Sequence, residues 1–569
     1  MIKLPNIPES VRERHAAKGW PLALLGSVLL IVSGLLSWSY DPAILGDISI
    51  SFWPATLQLF AIILGVVGLV LALMHQGPLR GLGDWFDAAL GLRALGTGSM
   101  VFVIYSLVAI AYEAGGLVNI NPGGWVALVG ALALWLGGHF LPQRTLHNFA
   151  KAKSSPVLEI LVIVVLMALV LFGAAYVLGQ EDPWVFVGFL IMASVAATAL
   201  ARAGFFTWFG HVAQRNRQVL TLAAFVVAFL FPFTQDGSDA NMSIATQVII
   251  FAATAIGLNI VVGLAGLLDL GYIAFLGSGA YVAAMMSNAA SATIGFKPPF
   301  LIVMLIGASA AAVLGLIIGS PTLRVSGDYL AIVTLAFGEI FRLSMFNLDG
   351  NNGPDLTNGP NGIPGIPDLN LFGFDFGKPH EIFGITLGRF SNYYFVLLLL
   401  IGFIILVFTR LNNSRIGRGW VAIREDERAA EAMGVNTFAL KLFAFAGGAF
   451  LAGLAGTIKA HQDTAVSPDQ YVFLESAFLL SAVVLGGMGT VAGVLIGATI
   501  LKLLPEKLRF FSEYRLLIFG LLLVVMMRIR PEGLIASKRR QLEFHDEDEE
   551  LASEIQQDHL IDASPEAAR

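Results

Sequence analysis

The chemistry available to this chain rests on a few ionisable residues set in long apolar surroundings. Glu339 and Arg342 stand three apart in YLAIVTLAFGEIFR, so one helix face carries both and each neutralises the other. Asp269 opens an apolar run in GLLDLGY, and Glu475 opens another in FLESAF. An ionisable group inside a membrane span is costly and by default points to a transport pathway or a charge pair. These four residues are therefore candidates for a translocation pathway. A plainer reading stands beside that one: a structural ion pair at Glu339 and Arg342, and interfacial carboxylates at Asp269 and Glu475.

Enzymatic chemistry finds no comparable footing. No G-x-x-x-x-G-K-[ST] loop is present; the nearest fragment, Gly373 to Lys378, lacks the spacing and runs into Pro379. Neither H-E-x-x-H nor G-x-S-x-G occurs, and histidines such as His75, His147 and His380 are scattered. The absence of cysteine removes disulfides, thiolate metal sites and cysteine nucleophiles. The expectation is a chain that is not an enzyme, holds no metal or cofactor, and does not take nucleic acid as a partner.

The elements that position these residues are membrane helices. With 56% hydrophobic and 13% charged residues, and a mean hydropathy of +0.77, the composition is that of an all-α polytopic membrane protein in contact with lipid. Apolar runs of about 17–25 residues give about 16 transmembrane helices. Six fall between Pro21 and Ala201, and ten more between Val219 and Met527. In the amino-terminal third, basic connections (Arg80 with Arg93; Arg144, Lys151 and Lys153; Arg202, Arg215 and Arg217) alternate with acidic ones (Asp41 and Asp47; Glu113; Glu181 and Asp182). The positive-inside rule then places both termini in the cytoplasm. The expected organisation is an amino-terminal extension of six helices (1–210), a ten-helix core (211–535) and an acidic tail (541–569). That tail, which carries EFHDEDEE from Glu543, reads as solvated and disordered.

Thr409 to Asn436 is a charged island between two of these spans. Its five arginines (Arg410, Arg415, Arg418, Arg424, Arg428) put the loop 410–436 on the cytoplasmic side. A short helix is expected from Arg424 to Met433. Glu425, Asp426 and Glu427 favour its first turn, Arg424 with Glu427 and Arg428 with Glu431 are spaced i,i+3, and Gly434 takes the left-handed C′ position. A helix of about ten residues is marginal alone, which points to a partner. The long loop 347–389, dense in Gly, Pro, Asn and Asp, falls outside as turns and extended pieces, either a surface connection or a binding lip. Four-residue spacing of Gly315 with Gly319, and of Gly489, Gly493 and Gly497, reads as close helix packing.

Six stretches in unbroken order between Val219 and Leu534 resemble the LivM-type permease subunit of branched-chain amino acid ATP-binding-cassette importers. They are GLNIVVGLAGLLDLGYIAFLGSGAYVAA from Gly257, LRVSGDYLAIVTLAFGEIFRL from Leu323, NGPNGI from Asn358, IGRGWVAIREDERAAEAMGVN from Ile416, SPDQYVFLESAFLLSAVVLGGMGTVAG from Ser467, and RPEGL from Arg530. The resemblance implies a bacterial inner-membrane subunit that moves substrate by alternating access. It would work with a second permease subunit, two cytoplasmic ATPases and a periplasmic substrate-binding protein. On that resemblance, Arg424, Glu425, Asp426, Glu427, Arg428, Ala429, Ala430, Glu431 and Gly434 form the segment coupled to the ATPases. The family's E-A-A-x-x-x-G pattern departs here, with Arg428 before Ala429, Ala430 and Gly434, and with Glu427 one position early. Asn358, Gly359, Pro360, Asn361 and Gly362 are candidates for docking the binding protein. Rival readings are a permease for urea or short amides, an ion-coupled secondary transporter, and a non-transporting membrane scaffold.

Overall fold

The computed structural model describes residues 9–39, 56–82, 85–142, 155–180, 182–322, 328–351, 353–382 and 384–507, with scattered positions between 517 and 535. The tail 541–569 and most of the last expected span, Leu516 to Met527, lie outside the described residues. The structure is built almost wholly from helices. Among the described residues, thirteen helical segments are long and apolar enough to cross a membrane, and Ile273–Met285 is a shorter apolar helix. The chain is thus an all-α polytopic membrane protein. Its contacts divide it into two compact units, one built on Met1–Asp236 and the other on Gly237–Glu506.

The first unit contains α1 (Glu9–Gly34), α2 (Thr56–His75), α3 (Ala88–Glu113), α4 (Pro122–Phe140), α5 (Pro156–Gly179), α6 (Pro183–Arg202), α7 (Phe205–Arg215) and α8 (Arg217–Leu230). α1 packs along α4 and α2, while α3 packs along α4 and α6. Leu57, Phe60, Leu95, Phe102 and Leu134 are buried between them. Arg93, expected in a basic connection, instead lies buried in α3. Its guanidinium donates to the carbonyls of Gly138, His139 and Leu141, which α4 leaves open at its C-terminus. The amphipathic α7 was not anticipated. Its Trp208 and Val212 pack on Ile163, and the aromatic spacing of FFTWFGHVAQR was the available signal. Glu159, buried in α5, accepts from Arg215 Nη1 and Asn216 Nδ2, each at 2.6 Å.

The second unit contains α9 (Asp239–Asn259), α10 (Ile273–Met285), α11 (Phe300–Thr322), α12 (Asp328–Asn347), α13 (Arg389–Asn412), α14 (Arg415–Glu425), α15 (Glu427–Ala432), α16 (Thr437–Asp463), α17 (Phe473–Gly486) and α18 (Val491–Lys507). α16 is central and packs on α9, α10 and α11. Small residues permit this closeness: a Cβ on Gly279 of α10 would collide with the backbone of Gly453 in α16. The same logic joins α17 to α18 through Gly493 and Gly497, whose added Cβ atoms would strike the carbonyls of Gly486 and Ala482. Close packing is therefore the use of the Gly493 and Gly497 spacing.

The loop between α12 and α13 consists of turns and short strands, as its composition requires. Asn370–Leu371 pairs with Phe374–Asp375, and His380–Ile382 with Ile385–Leu387. Ile363–Pro364 pairs instead with Ala465–Val466, directly after α16, and so ties this loop to the helical core.

The apolar run Leu267 to Met286 does not form one helix opened by Asp269. α9 passes into a π-helical turn at Ile260–Leu264, residues 265–272 are not helical, and α10 begins at Ile273. Two local causes break the run. Gly266 adopts φ +72°, and the Asp269 carboxylate accepts from the N–H of Gly271 at 2.9 Å, forming a turn.

The packing makes a direct prediction. Gly279→Leu, which overpacks the α10–α16 contact, is expected to abolish recovery of a monodisperse protein in detergent, whereas Gly402→Leu, in open space on α13, is expected to be tolerated. Size-exclusion profiles of the two variants check this.

Candidate functional site

The arginine-rich island folds as two helices. Asp426 has extended backbone angles (φ −153°, ψ 108°), ends α14, and N-caps α15 by accepting from the N–H of Ala429 at 2.9 Å. The expected single helix from Arg424 to Met433 is corrected accordingly: an aspartate at an N-cap gains more from holding free N–H groups than from continuing the preceding helix. At the other end, Gly434 takes φ +82°. The N–H groups of Gly434 and Val435 donate to the carbonyls of Glu431 and Ala430, at 2.9 and 3.1 Å. This is the expected left-handed glycine stop, with both bonds of a Schellman motif.

The expected i,i+3 pair of Arg424 and Glu427 does not form. Arg424 donates from Nη2 to Glu425 Oε1 at 2.7 Å and from Nη1 to the carbonyl of Gly263 at 2.9 Å. Glu427 instead accepts from Lys441 Nζ, at the start of α16. The helix break at Asp426 is what separates their side chains. Trp420, fully buried, donates from Nε1 to the Leu440 carbonyl at 2.7 Å and stacks on Phe443. The island is thus held at three places, two on α16 and one on the π-helical turn. Ala430 is buried, while Glu425, Asp426, Arg428, Ala429, Glu431 and Gly434 remain exposed, as does Met433 at 85%. The island thus presents the charged α15 and the exposed Met433 that follows it on one outer surface.

The Gly263 carbonyl belongs to a wider junction. In the same break, Asn259 accepts from the N–H of Gly489 at 2.8 Å and donates to the Thr490 carbonyl at 3.3 Å. The N–H of Leu534 donates to Leu485, and that of Ile535 to Gly486. Four of the stretches singled out in the sequence, containing Asn259, Arg424, Gly489 and Leu534, therefore converge on one place. Asn259, Gly263, Trp420 and Lys441 were not foreseen. Only Lys441 carried a signal, as a cation at the start of an apolar run.

The four pathway candidates do not form one cluster. Glu339 and Arg342 are brought together, with Arg342 Nε donating to Glu339 Oε1 at 3.0 Å, and Asp469 lies 3.7 Å from the guanidinium. Asp269 is 1% exposed in the non-helical segment, neither opening a helix nor lying at an exposed boundary, and its Oδ2 has no hydrogen-bond partner. Glu475, in the first turn of α17, pairs with Lys502 of α18 at 2.9 Å. Of the four, only Glu475 lines a cleft of about 250 Å³.

In the long loop, Gly359–Asn361 form a single 3-10 turn. Asn358, at φ +59°, donates from Nδ2 to the Gly362 carbonyl at 2.8 Å. Pro360 and Asn361 are exposed, whereas Gly359 and Gly362 are buried against the core.

A family model described as branched-chain amino acid transport system / permease component matches residues 241–527. The chain belongs to this family. The match begins within α9 and covers most of the second unit, including the island and the broken helix. The high-affinity branched-chain amino acid transport system permease protein LivM of Salmonella typhimurium is 40% identical over 343 residues, covering 58% of this chain and 77% of the relative. A probable branched-chain amino acid transport permease protein LivM of Methanocaldococcus jannaschii is 26% identical over 259 residues, 42% of this chain and 69% of the relative. The ribose import permease protein RbsC of Haemophilus influenzae is 26% identical over 342 residues, 58% of this chain and 95% of the relative. No solved structure matches the chain.

The N-cap is testable in isolation. Asp426→Ala is expected to cost about 1 kcal/mol of local stability. Faster hydrogen exchange in residues 427–435 than in the parent protein, with exchange in α16 unchanged, is the expected result.

Proposed function

We propose that the chain is the transmembrane permease subunit of an ATP-binding-cassette importer for branched-chain amino acids in the bacterial inner membrane. The observation that carries this reading is the 40% identity across 343 residues to a branched-chain amino acid permease. Paired permease relatives support a second permease subunit, since the chain is also 29% identical over 128 residues to LivH of Escherichia coli. Two cytoplasmic ATPases bind and hydrolyse ATP, and a periplasmic protein delivers the amino acid. This chain itself is a transport subunit without cofactor.

Alternating access is the mechanism that goes with this reading, and the way the island is held supports a route for it. The exposed face of α15 (Arg428, Ala429, Glu431) meets an ATPase, and its movement is passed on through Lys441 and Trp420 to α16 and through Arg424 to the broken helix. The ATPase must bind two positions of this face with different affinity, since a ligand with equal affinity for both shifts nothing. The exposed Pro360 and Asn361 offer a face for the binding protein, and 1–210 is an extension to the permease core.

Co-purification of the tagged chain from its native membrane tests the reading. The expected result is recovery of a second permease and two ATPases, lost when residues 424–433 are scrambled. Recovery of the chain alone, with ion-driven uptake in vesicles, overturns it. A finer expectation is that Arg424→Ala, which frees the Gly263 carbonyl, leaves the complex assembled and lowers leucine uptake about tenfold or more, as loss of a hydrogen bond from a charged group allows. Uptake and ATP hydrolysis measured on the same vesicles check it.

A further inference from the structure

The 250 Å³ cleft beside Glu475 is bounded by α9, α10, α16, α17 and α18. Its lining mixes the apolar side chains of Ile250, Phe251, Leu276 and Leu479 with two ion pairs. Lys502 holds Glu475 at 2.9 Å and lies 4.7 Å from the Phe251 ring, while Lys459 holds Asp463 one helical turn away and reaches Gln470 at 3.3 Å. All four charged side chains keep between 21% and 31% of their exposure, so the cleft is open to its surroundings.

Stability does not explain this arrangement. Partly exposed ion pairs contribute little, and charges within membrane helices are costly. Two cations and two carboxylates set among aliphatic and aromatic side chains are instead the complement of an α-amino acid zwitterion with an apolar side chain. Its carboxylate finds lysine ammonium groups and its ammonium finds carboxylates, each by charge-assisted hydrogen bonds. Because Lys and carboxylate already satisfy each other, the empty cleft holds no unpaired charge, and a zwitterion enters by exchange of partners. Binding by exchange is weak, as a pathway that must also release its cargo requires.

We infer that this cleft is a transient binding subsite for the amino acid zwitterion, with Lys459, Asp463, Glu475 and Lys502 as its polar contacts and Phe251, Leu276 and Leu479 facing the side chain. The inference rests on the importer reading above and adds to it where in this chain the substrate is met.

The chain contains no cysteine, so Gln470→Cys introduces a single thiol at the cleft, and Gln247→Cys supplies a second position should the first variant fail to assemble. The assembled importer in membrane vesicles is treated with a charged methanethiosulfonate reagent during ATP turnover. The expected result is modification that leucine suppresses, and that 4-methylpentanoate and isopentylamine, each lacking one charge, do not. In parallel, Lys502→Met is expected to lower leucine uptake about tenfold or more, the usual cost of one charge-assisted bond to a ligand. Failure of the parent complex to import leucine overturns the importer reading and this inference together. Normal import with modification indifferent to leucine, or with no modification even without leucine, overturns the subsite alone. Normal uptake by Lys502→Met does the same.

Discussion

The bond from Arg424 to the Gly263 carbonyl is the constraint on which the working half of this structure depends. A π-helical turn followed by a non-helical segment leaves backbone groups without helical partners, and in a membrane protein such groups must be satisfied internally. Here side chains satisfy them: Arg424 donates to the Gly263 carbonyl, while Thr334 and Ser476 accept from the N–H groups of Leu270 and Ile273, each at 3.0 Å. The break is therefore fixed by side chains from the charged island and from the helices packed around it.

That arrangement explains why the charged island is so short and yet ordered. α15 has six residues and could not persist alone, but Asp426 caps its start, Gly434 stops its end, and Lys441 fixes its flank through Glu427. The same contacts that give it shape tie α15 to α16 and, through α14, to the broken helix. α16, 27 residues from Thr437 to Asp463, in turn carries Lys459 and Asp463 at its far end. A single helix thus runs from the contacts with the charged island to the cleft lined by paired charges.

Close packing supplies the rigidity. Gly279 and Gly453 bring α10 against α16, and Gly493 and Gly497 bring α18 against α17, leaving no room for independent sliding. Small shifts in such a core resolve into discrete rearrangements rather than continuous deformation.

Much of this was legible from residues alone. Apolar length and charge patterning establish an all-α membrane protein, Gly434 marks its helix stop, and the i,i+3 spacing of Glu339 and Arg342 specifies their pair, because each depends on neighbours within one or two turns. The partner of Glu475 was not legible, since Lys502 lies on another helix and any cation in the chain had the same formal claim. The break at Asp269 was hidden because LLDLGYIAF is as apolar as a span must be, and only the packed surroundings that accept a buried turn permit it to unwind. The division at Asp426 likewise reflects a choice between continuing a helix and capping a new one. Sequence determined the elements and the side of the local balance each residue favours; tertiary structure decided which distant backbone and charge each would meet, because those energies exist only once the helices are packed together.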